Sequence, residues 1–155
     1  VPMLAMTHCD ESKLAKQHGK KSEYALCAAQ WHKTLTYKDK FFGNGIKYDK
    51  DFNAEYGYTP PYQAAESSAA LLVWKDAFER ANSTDTEKVR DALAKTDMQT
   101  FYGNIKFGSG GQNTAKPMVL FQVRCEGDTC ENKVVAPTKW ASAKLVHPIP
   151  KWSER

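Results

Sequence analysis

Two pairs of residue types in this chain suggest chemistry by their spacing. Cys125 and Cys130 bracket the four residues Glu126-Gly127-Asp128-Thr129. Cysteines facing each other across a turn fall at the separation a disulfide needs. A redox or metal pair is the alternative, but this segment carries no nearby histidine to complete a zinc set. A disulfide here closes a short loop, so its contribution is modest, and it points to an oxidising compartment. His8 and Cys9 form the second pair, with Asp10 next to them. Neighbouring side chains on an extended segment point to opposite faces, and a thiol nucleophile needs its base to converge on it. A binding or loop role therefore suits His8-Cys9 better than catalysis. Cys27 completes the four cysteines.

Other candidates are defined by where they fall on elements. The apolar run 2–7 suits a buried strand by its length, and Thr7, His8 and Cys9 stand where that strand ends. Tyr24-Ala25-Leu26-Cys27-Ala28-Ala29 is a second short apolar run, ending at Gln30-Trp31. Between the two, Asp10, Glu11 and Ser12 offer helix-start residues, Leu14, Ala15 and His18 follow at helical spacing, and Gly19 is a stop. Strand, helix, strand with continuous apolar strands predicts a parallel βαβ unit. Ligands of open α/β sheets bind beyond the carboxyl ends of the strands, which singles out Thr7, His8, Gln30 and Trp31. Tyr62 and Gln63 open a long helix, whose N-terminus favours an anion such as a carboxylate.

Those sites need a scaffold, and the rest of the chain supplies one. Residues 31–45 read as a connection. A helix is expected over about 46–56, with Ile46, Phe52 and Tyr56 on one face and Gly57 at its end. Tyr58-Thr59-Pro60-Pro61 is a rigid turn before the helix 62–81. That helix carries Ala70, Val73, Trp74, Ala77, Phe78 and Ala81 as an apolar stripe, and small residues fill its first half. Thr84 and Glu87 make a capping box for a helix at about 85–95. A turn and short strand follow at 101–107, then a glycine-rich joint at 108–114 that lacks the Lys-Ser or Lys-Thr of a phosphate loop. Residues 118–123 and 133–137 form a β-hairpin around a turn at 125–130, and Pro148 and Pro150 extend the tail.

Composition narrows the classes. The 155 residues are 41% hydrophobic and 26% charged, which is a globular balance with room for one core. The net charge of +4 comes from dispersed lysines, so nucleic acid is not the expected partner. No apolar stretch approaches the roughly 18 residues of a membrane span. The start on an apolar run without Met suggests upstream sequence removed by processing, proteolysis or design.

The ordered strings of the chain resemble the C-terminal half of type I periplasmic solute-binding proteins, in the branched-chain amino acid, amide and urea receptor group of ABC importers. The strings are Leu4-Ala5-Met6-Thr7, Ala28-Ala29-Gln30-Trp31, Glu55-Tyr56-Gly57-Tyr58 leading into Tyr62-Gln63-Ala64-Ala65, and Val89-Arg90-Asp91-Ala92-Leu93. Tyr102-Gly103-x-Ile105-Lys106-Phe107, Gly111-Gln112-Asn113 before Lys116-Pro117-Met118, and Pro148-x-Pro150-x-Trp152 follow in order. The resemblance implies an α/β fold of the periplasmic-binding-protein-like type I: parts of two three-layer α/β lobes, without the N-terminal half. Residues 1–31 and 115–155 would then belong to one lobe, 32–107 to the other, and 108–114 to a hinge crossing between them.

By the same resemblance the ligand contacts are Thr7, His8, Cys9, Gln30, Trp31, Tyr62 and Gln63. No metal, cofactor or catalytic residue is expected. Where amino acid receptors carry an acidic residue for the ammonium group, this chain reads His8-Cys9-Asp10. The implied role is a non-enzymatic, extracytoplasmic receptor. It would capture a small polar ligand (an amino acid, amide or related carboxylate) for an ABC permease by two-lobe closure. A ligand-sensing domain of the same fold in a signalling receptor is the alternative, and a thiol- or metal-dependent enzyme using His8, Cys9 and Cys27 is a third reading. Unpaired sheet edges imply a further partner, either the missing N-terminal half or a second copy of the chain.

Overall fold

The computed structural model describes residues 2–7, 14 and 17–154. In chain order its elements are β1 (Ala5–Met6), a 3-10 turn (Gly19–Ser22), β2 (Leu26–Ala29), β3 (Lys38–Asp39), β4 (Gly43–Asn44) and α1 (Gly45–Tyr56). Then come α2 (Tyr62–Ala81), α3 (Thr86–Ala94), β5 (Asp97–Gln99), β6 (Asn104–Lys106), β7 (Val119–Glu126) and β8 (Thr129–Ala136). The chain forms two compact units, one of residues 1–32 with 118–155 and the other of 33–117.

The first unit is built on a four-stranded sheet in the order β1-β2-β7-β8. β1 runs parallel to β2, pairing Met6 with Cys27, and the remaining neighbours are antiparallel. β2 buries Leu26, Cys27 and Ala29, and β7 buries Val119, Phe121 and Val123. The expected buried strand over 2–7 shortens to two residues, with Met3 and Leu4 exposed. β1 is the edge of the sheet, so its outer face has less to pack against. The tail covers part of this edge, where Ile149 N–H donates to the Pro2 carbonyl at 3.0 Å.

The hairpin is tighter than expected. Its turn is the two residues Gly127-Asp128, Gly127 taking a left-handed φ of +60°, and the strands run on through both cysteines. Cys125 and Cys130 are therefore a directly opposed cross-strand pair rather than part of the turn, and the expected disulfide joins them.

The second unit packs three helices with two small hairpins. Asn44 caps α1 by accepting from Lys47 N–H, and Gly57 closes it in a left-handed conformation. α2 covers 62–81 as its periodicity predicts, but its buried face is rotated from the expected stripe. Ala65, Ala69, Leu72, Val73 and Ala77 are buried, whereas Trp74 and Phe78 are exposed and stack on each other at 5.6 Å. The small side chains explain the rotation, because they let neighbouring helices approach closely. Ala77 meets Val89 and Ala92 of α3, and Tyr48 of α1 shares a 2.9 Å hydrogen bond with the Ser68 hydroxyl.

The α3 cap is also displaced by one residue. Asp85, not Thr84, accepts from Lys88 N–H at 3.0 Å, while Ser83 Oγ accepts from Asp85 N–H. A carboxylate at the N-cap is the stronger acceptor and also suits the helix dipole. Arg80 then ties the end of α2 to α3 by donating to the Ala92 carbonyl at 2.7 Å and to Thr96 Oγ1 at 3.1 Å.

β5, absent from the sequence expectation, pairs with β6 through Met98–Ile105. Residues 108–114 lie in this unit and fold back on β6: Gly111 N–H donates to the Gly108 carbonyl, and Thr114 N–H donates to the Lys106 carbonyl. The chain passes between units at His32–Lys33 and again at Pro117–Met118.

Candidate functional site

In the first unit, the parallel pairing of β1 and β2 sets their carboxyl ends side by side. Thr7 directly follows the Met6–Cys27 pair, and Gln30-Trp31 follow Ala29, so these three residues share one end of the sheet. Thr7 is exposed and Gln30 half-buried. Trp31 is 4% exposed, which makes it a core residue of this unit and limits how much ring it could offer as a platform. His8 and Cys9 lie outside the described residues. Cys27 is fully buried and disulfide-bonded, so it supplies no thiolate. Among the described residues, no group of three His, Cys, Asp or Glu side chains is placed to hold a metal ion.

In the second unit, Pro60-Pro61 set the start of α2, so that Tyr62 and Gln63 occupy its first turn. Both are half-buried. The Gln63 Oε1 atom is enclosed and has no hydrogen-bond partner among the described residues. An enclosed amide oxygen without a donor is costly, which marks a position where a donor would be welcome.

Tyr62 belongs to a cluster that sequence reasoning did not assemble. The tight turn between β5 and β6 presents Tyr102, 6% exposed, whose hydroxyl burial holds above the usual tyrosine range; the charge of Glu66 and the nearby Tyr62 add to the effect. Over the Tyr102 ring sits the Lys116 ammonium, 4.2 Å from the centroid. Lys116 Nζ is itself enclosed and has no hydrogen-bond partner among the described residues. Its pKa is pulled down to about 8, because burial disfavours the cation more than the Glu66 charge favours it.

Gly103 makes room for this lysine. At φ +151° it has a backbone that L residues rarely adopt, and a Cβ there would come within 2.4 Å of Lys116 Cδ. Tyr102-Gly103 and Lys116 all stood in the strings that carried the family resemblance. Nothing in their spacing shows that a half-turn at 100–103 brings the Tyr102 ring beneath a lysine fourteen residues later.

Thr7 and Gln30-Trp31 thus form one candidate group in the first unit, and Tyr62, Gln63, Glu66, Tyr102 and Lys116 another in the second. No helix of the described residues is long and apolar enough to cross a membrane.

Comparison with known proteins connects these elements to a family. Residues 1–129 match the model described as "Periplasmic binding protein". The fold is similar to that of the leucine-binding protein LivK of Thermotoga maritima (22% identity, TM-score 0.66), covering 87% of this chain and 38% of that one. It is also similar to the leucine-, isoleucine-, valine-, threonine- and alanine-binding protein of Brucella ovis in its closed conformation. There identity is 13% and TM-score 0.70, over 92% of this chain and 38% of that one. A third similar structure is the substrate-binding protein LivJ of Streptococcus pneumoniae in complex with isoleucine (14% identity, TM-score 0.63), covering 87% of this chain and 37% of the other. The chain therefore spans about two fifths of the length of these proteins. With its mixed α/β elements in the order of a type I periplasmic-binding-protein fold, the chain belongs to the periplasmic binding protein family.

Proposed function

We propose that the chain is part of a non-enzymatic, extracytoplasmic receptor that captures a small polar ligand and delivers it to an ABC importer. Membership of the periplasmic binding protein family over residues 1–129 is the observation that carries this reading. The ligand class is an amino acid, amide or related carboxylate; its amino acid member is in keeping with the amino acids for which the similar structures are named. The two units correspond to parts of two lobes. Thr7, His8, Cys9, Gln30 and Trp31 belong to one wall, Tyr62 and Gln63 to the other, and closure on the ligand draws the walls together. An extracytoplasmic location agrees with the Cys125–Cys130 disulfide.

Calorimetric titration with L-leucine, L-isoleucine, acetamide and urea tests the reading. At least one is expected to bind, and Tyr62→Ala and Gln63→Ala are each expected to weaken it by about tenfold, the equivalent of about 1.4 kcal/mol. A panel with no binder, or binding unchanged in both variants, overturns it.

The exposed apolar side chains suit a further partner surface, either the N-terminal half of such a receptor or a second copy. Leu71, Trp74 and Phe78 lie along α2, with Phe41 also exposed in the same unit, and Met3, Leu4 and Met118 flank the first unit's sheet. Light scattering during size-exclusion chromatography is expected to show the isolated 155-residue chain self-associating. A monomer that unfolds in one cooperative transition contradicts this.

A further inference from the structure

Lys116 inverts the usual arrangement of a surface lysine. Ordinarily the stem lies along the protein and the ammonium reaches water. Here the side chain is half-buried overall, yet its Nζ is the enclosed atom. The groups around it do not account for a buried cation. The Tyr102 ring at 4.2 Å offers a cation–π contact but no hydrogen-bond acceptor. Glu66 acts through its charge alone, and its own side chain is exposed. Three ammonium donors are left unused in a space that Gly103 keeps open for this side chain. A buried cation so placed is normally paired, and its absent complement is an anion with acceptor oxygens.

We propose that Lys116, held over the Tyr102 ring beside Tyr62 and Glu66, is the residue that recognises the negatively charged group of the ligand, a carboxylate, within the second unit. The proposal deepens the receptor reading and rests on it, since it names the ligand's charge and the side chain that reads it. The enclosed head group reaches the ligand by rotation about its terminal bonds, for which the flexible four-carbon stem is suited. The arrangement also explains why an unfavourable group is kept. Burial makes the cation costly in the free protein, and an anion arriving at Nζ relieves that cost, so binding energy concentrates on ligands that carry the charge.

The ionisable groups around Lys116 are Glu66 from α2 and Tyr102 from the β5–β6 turn, with Tyr62 of α2 acting on Tyr102. The Lys116 midpoint is itself the readout. The test follows the Lys116 side-chain carbon signals by NMR against pH, in acetate and in chloride of matched ionic strength. The midpoint is expected near 8 in chloride and higher in acetate by about one unit, which is a tenfold preference of acetate for the protonated form. The other lysines should not move.

Lys116→Met gives the second arm. Relative to it, the wild type carries a buried charge at neutral pH, so the variant should melt higher below about pH 8. The gap should narrow as pH rises through about 8 and close above about 10.5, where the lysine is neutral both folded and unfolded. Acetate should raise the melting temperature of the wild type and not that of the variant. An identical Lys116 midpoint in the two salts, or an acetate response shared by all lysines, overturns the proposal whatever the amino acid panel shows. Failure of the receptor reading alone has a different signature: no ligand of the panel binds, and the acetate response at Lys116 remains.

Discussion

Replacing Gln122 by Ala is expected to destabilise the first unit by about 3–5 kcal/mol, among the largest losses available to any single side chain there. Gln122 lies in the middle of β7 and is fully buried, an unusual place for a primary amide. Its hydrogen-bonding capacity is well used. Nε2 donates to the carbonyls of Tyr24 and Val146, each at 3.1 Å, and Oε1 accepts from Val146 N–H at 3.0 Å. One side chain thus stitches the segment before β2 and the C-terminal tail to the central strand. Truncation leaves the backbone groups of Val146 and the Tyr24 carbonyl buried beside a cavity. Gln122→Met keeps most of the volume and is expected to cost about 2 kcal/mol, because it still orphans the same groups. Denaturant unfolding measures both losses, and amide exchange at Val146 should accelerate in both variants. If Gln122→Met unfolds at the wild-type midpoint and Val146 stays protected, the stitch is not what holds the tail.

Gln122 also shows where the sequence stops being readable. The apolar pattern of 118–123 predicts the strand, and a single polar residue within it looks like the outward-facing member of an alternation. Its burial follows from the C-terminal tail and the Tyr24 segment that bond to it, contacts which no local pattern encodes. Elements dictated by local chemistry are legible: α1 and α2 from periodicity, proline and glycine stops, and the hairpin from its two apolar runs around 125–130. What depends on contact between distant segments is not. The three- and four-residue spacing of Val73, Trp74, Ala77 and Phe78 predicts one buried stripe, yet Trp74 and Phe78 are exposed and Ala65, Ala69 and Leu72 join Val73 and Ala77 on the buried face. The pairing of β5 with β6 is not legible, because three-residue strands leave too little alternation to recognise. For the site, Tyr62 and Gln63 could be chosen from their place at a helix start. Lys116 could not, because its burial over Tyr102 is a tertiary fact.

Asp39→Ala is expected to cost the second unit about 3–5 kcal/mol and to disturb the Lys116 cluster with it. The Asp39 carboxylate accepts three backbone N–H groups. Oδ1 takes Phe41 and Phe42, at 2.9 and 2.8 Å, which shapes the turn between β3 and β4, and Oδ2 takes Phe101 at 2.6 Å. Hydrogen bonds to a charged acceptor contribute roughly 1.5–3 kcal/mol each, so losing all three is severe even after local water compensates in part. The Phe101 bond is the one that bears on the Lys116 cluster. Phe101 is fully buried, stacks on Tyr48 at 4.3 Å and directly precedes Tyr102 and Gly103. Asp39 therefore anchors the backbone that carries the ring under Lys116. Asp39→Asn separates the two arms. Its remaining oxygen can keep the β3–β4 turn, while its amide group meets Phe101 N–H donor to donor. That variant should lose about 2 kcal/mol and retain the turn. With the ring less firmly held, the Lys116 midpoint should rise from about 8 towards its ordinary value as water reaches the ammonium. Chemical denaturation and the Lys116 titration measure the two effects independently. An Asp39→Asn protein of wild-type stability, with Lys116 still titrating near 8, would show that the packing of Phe101 positions the cluster without help from the carboxylate.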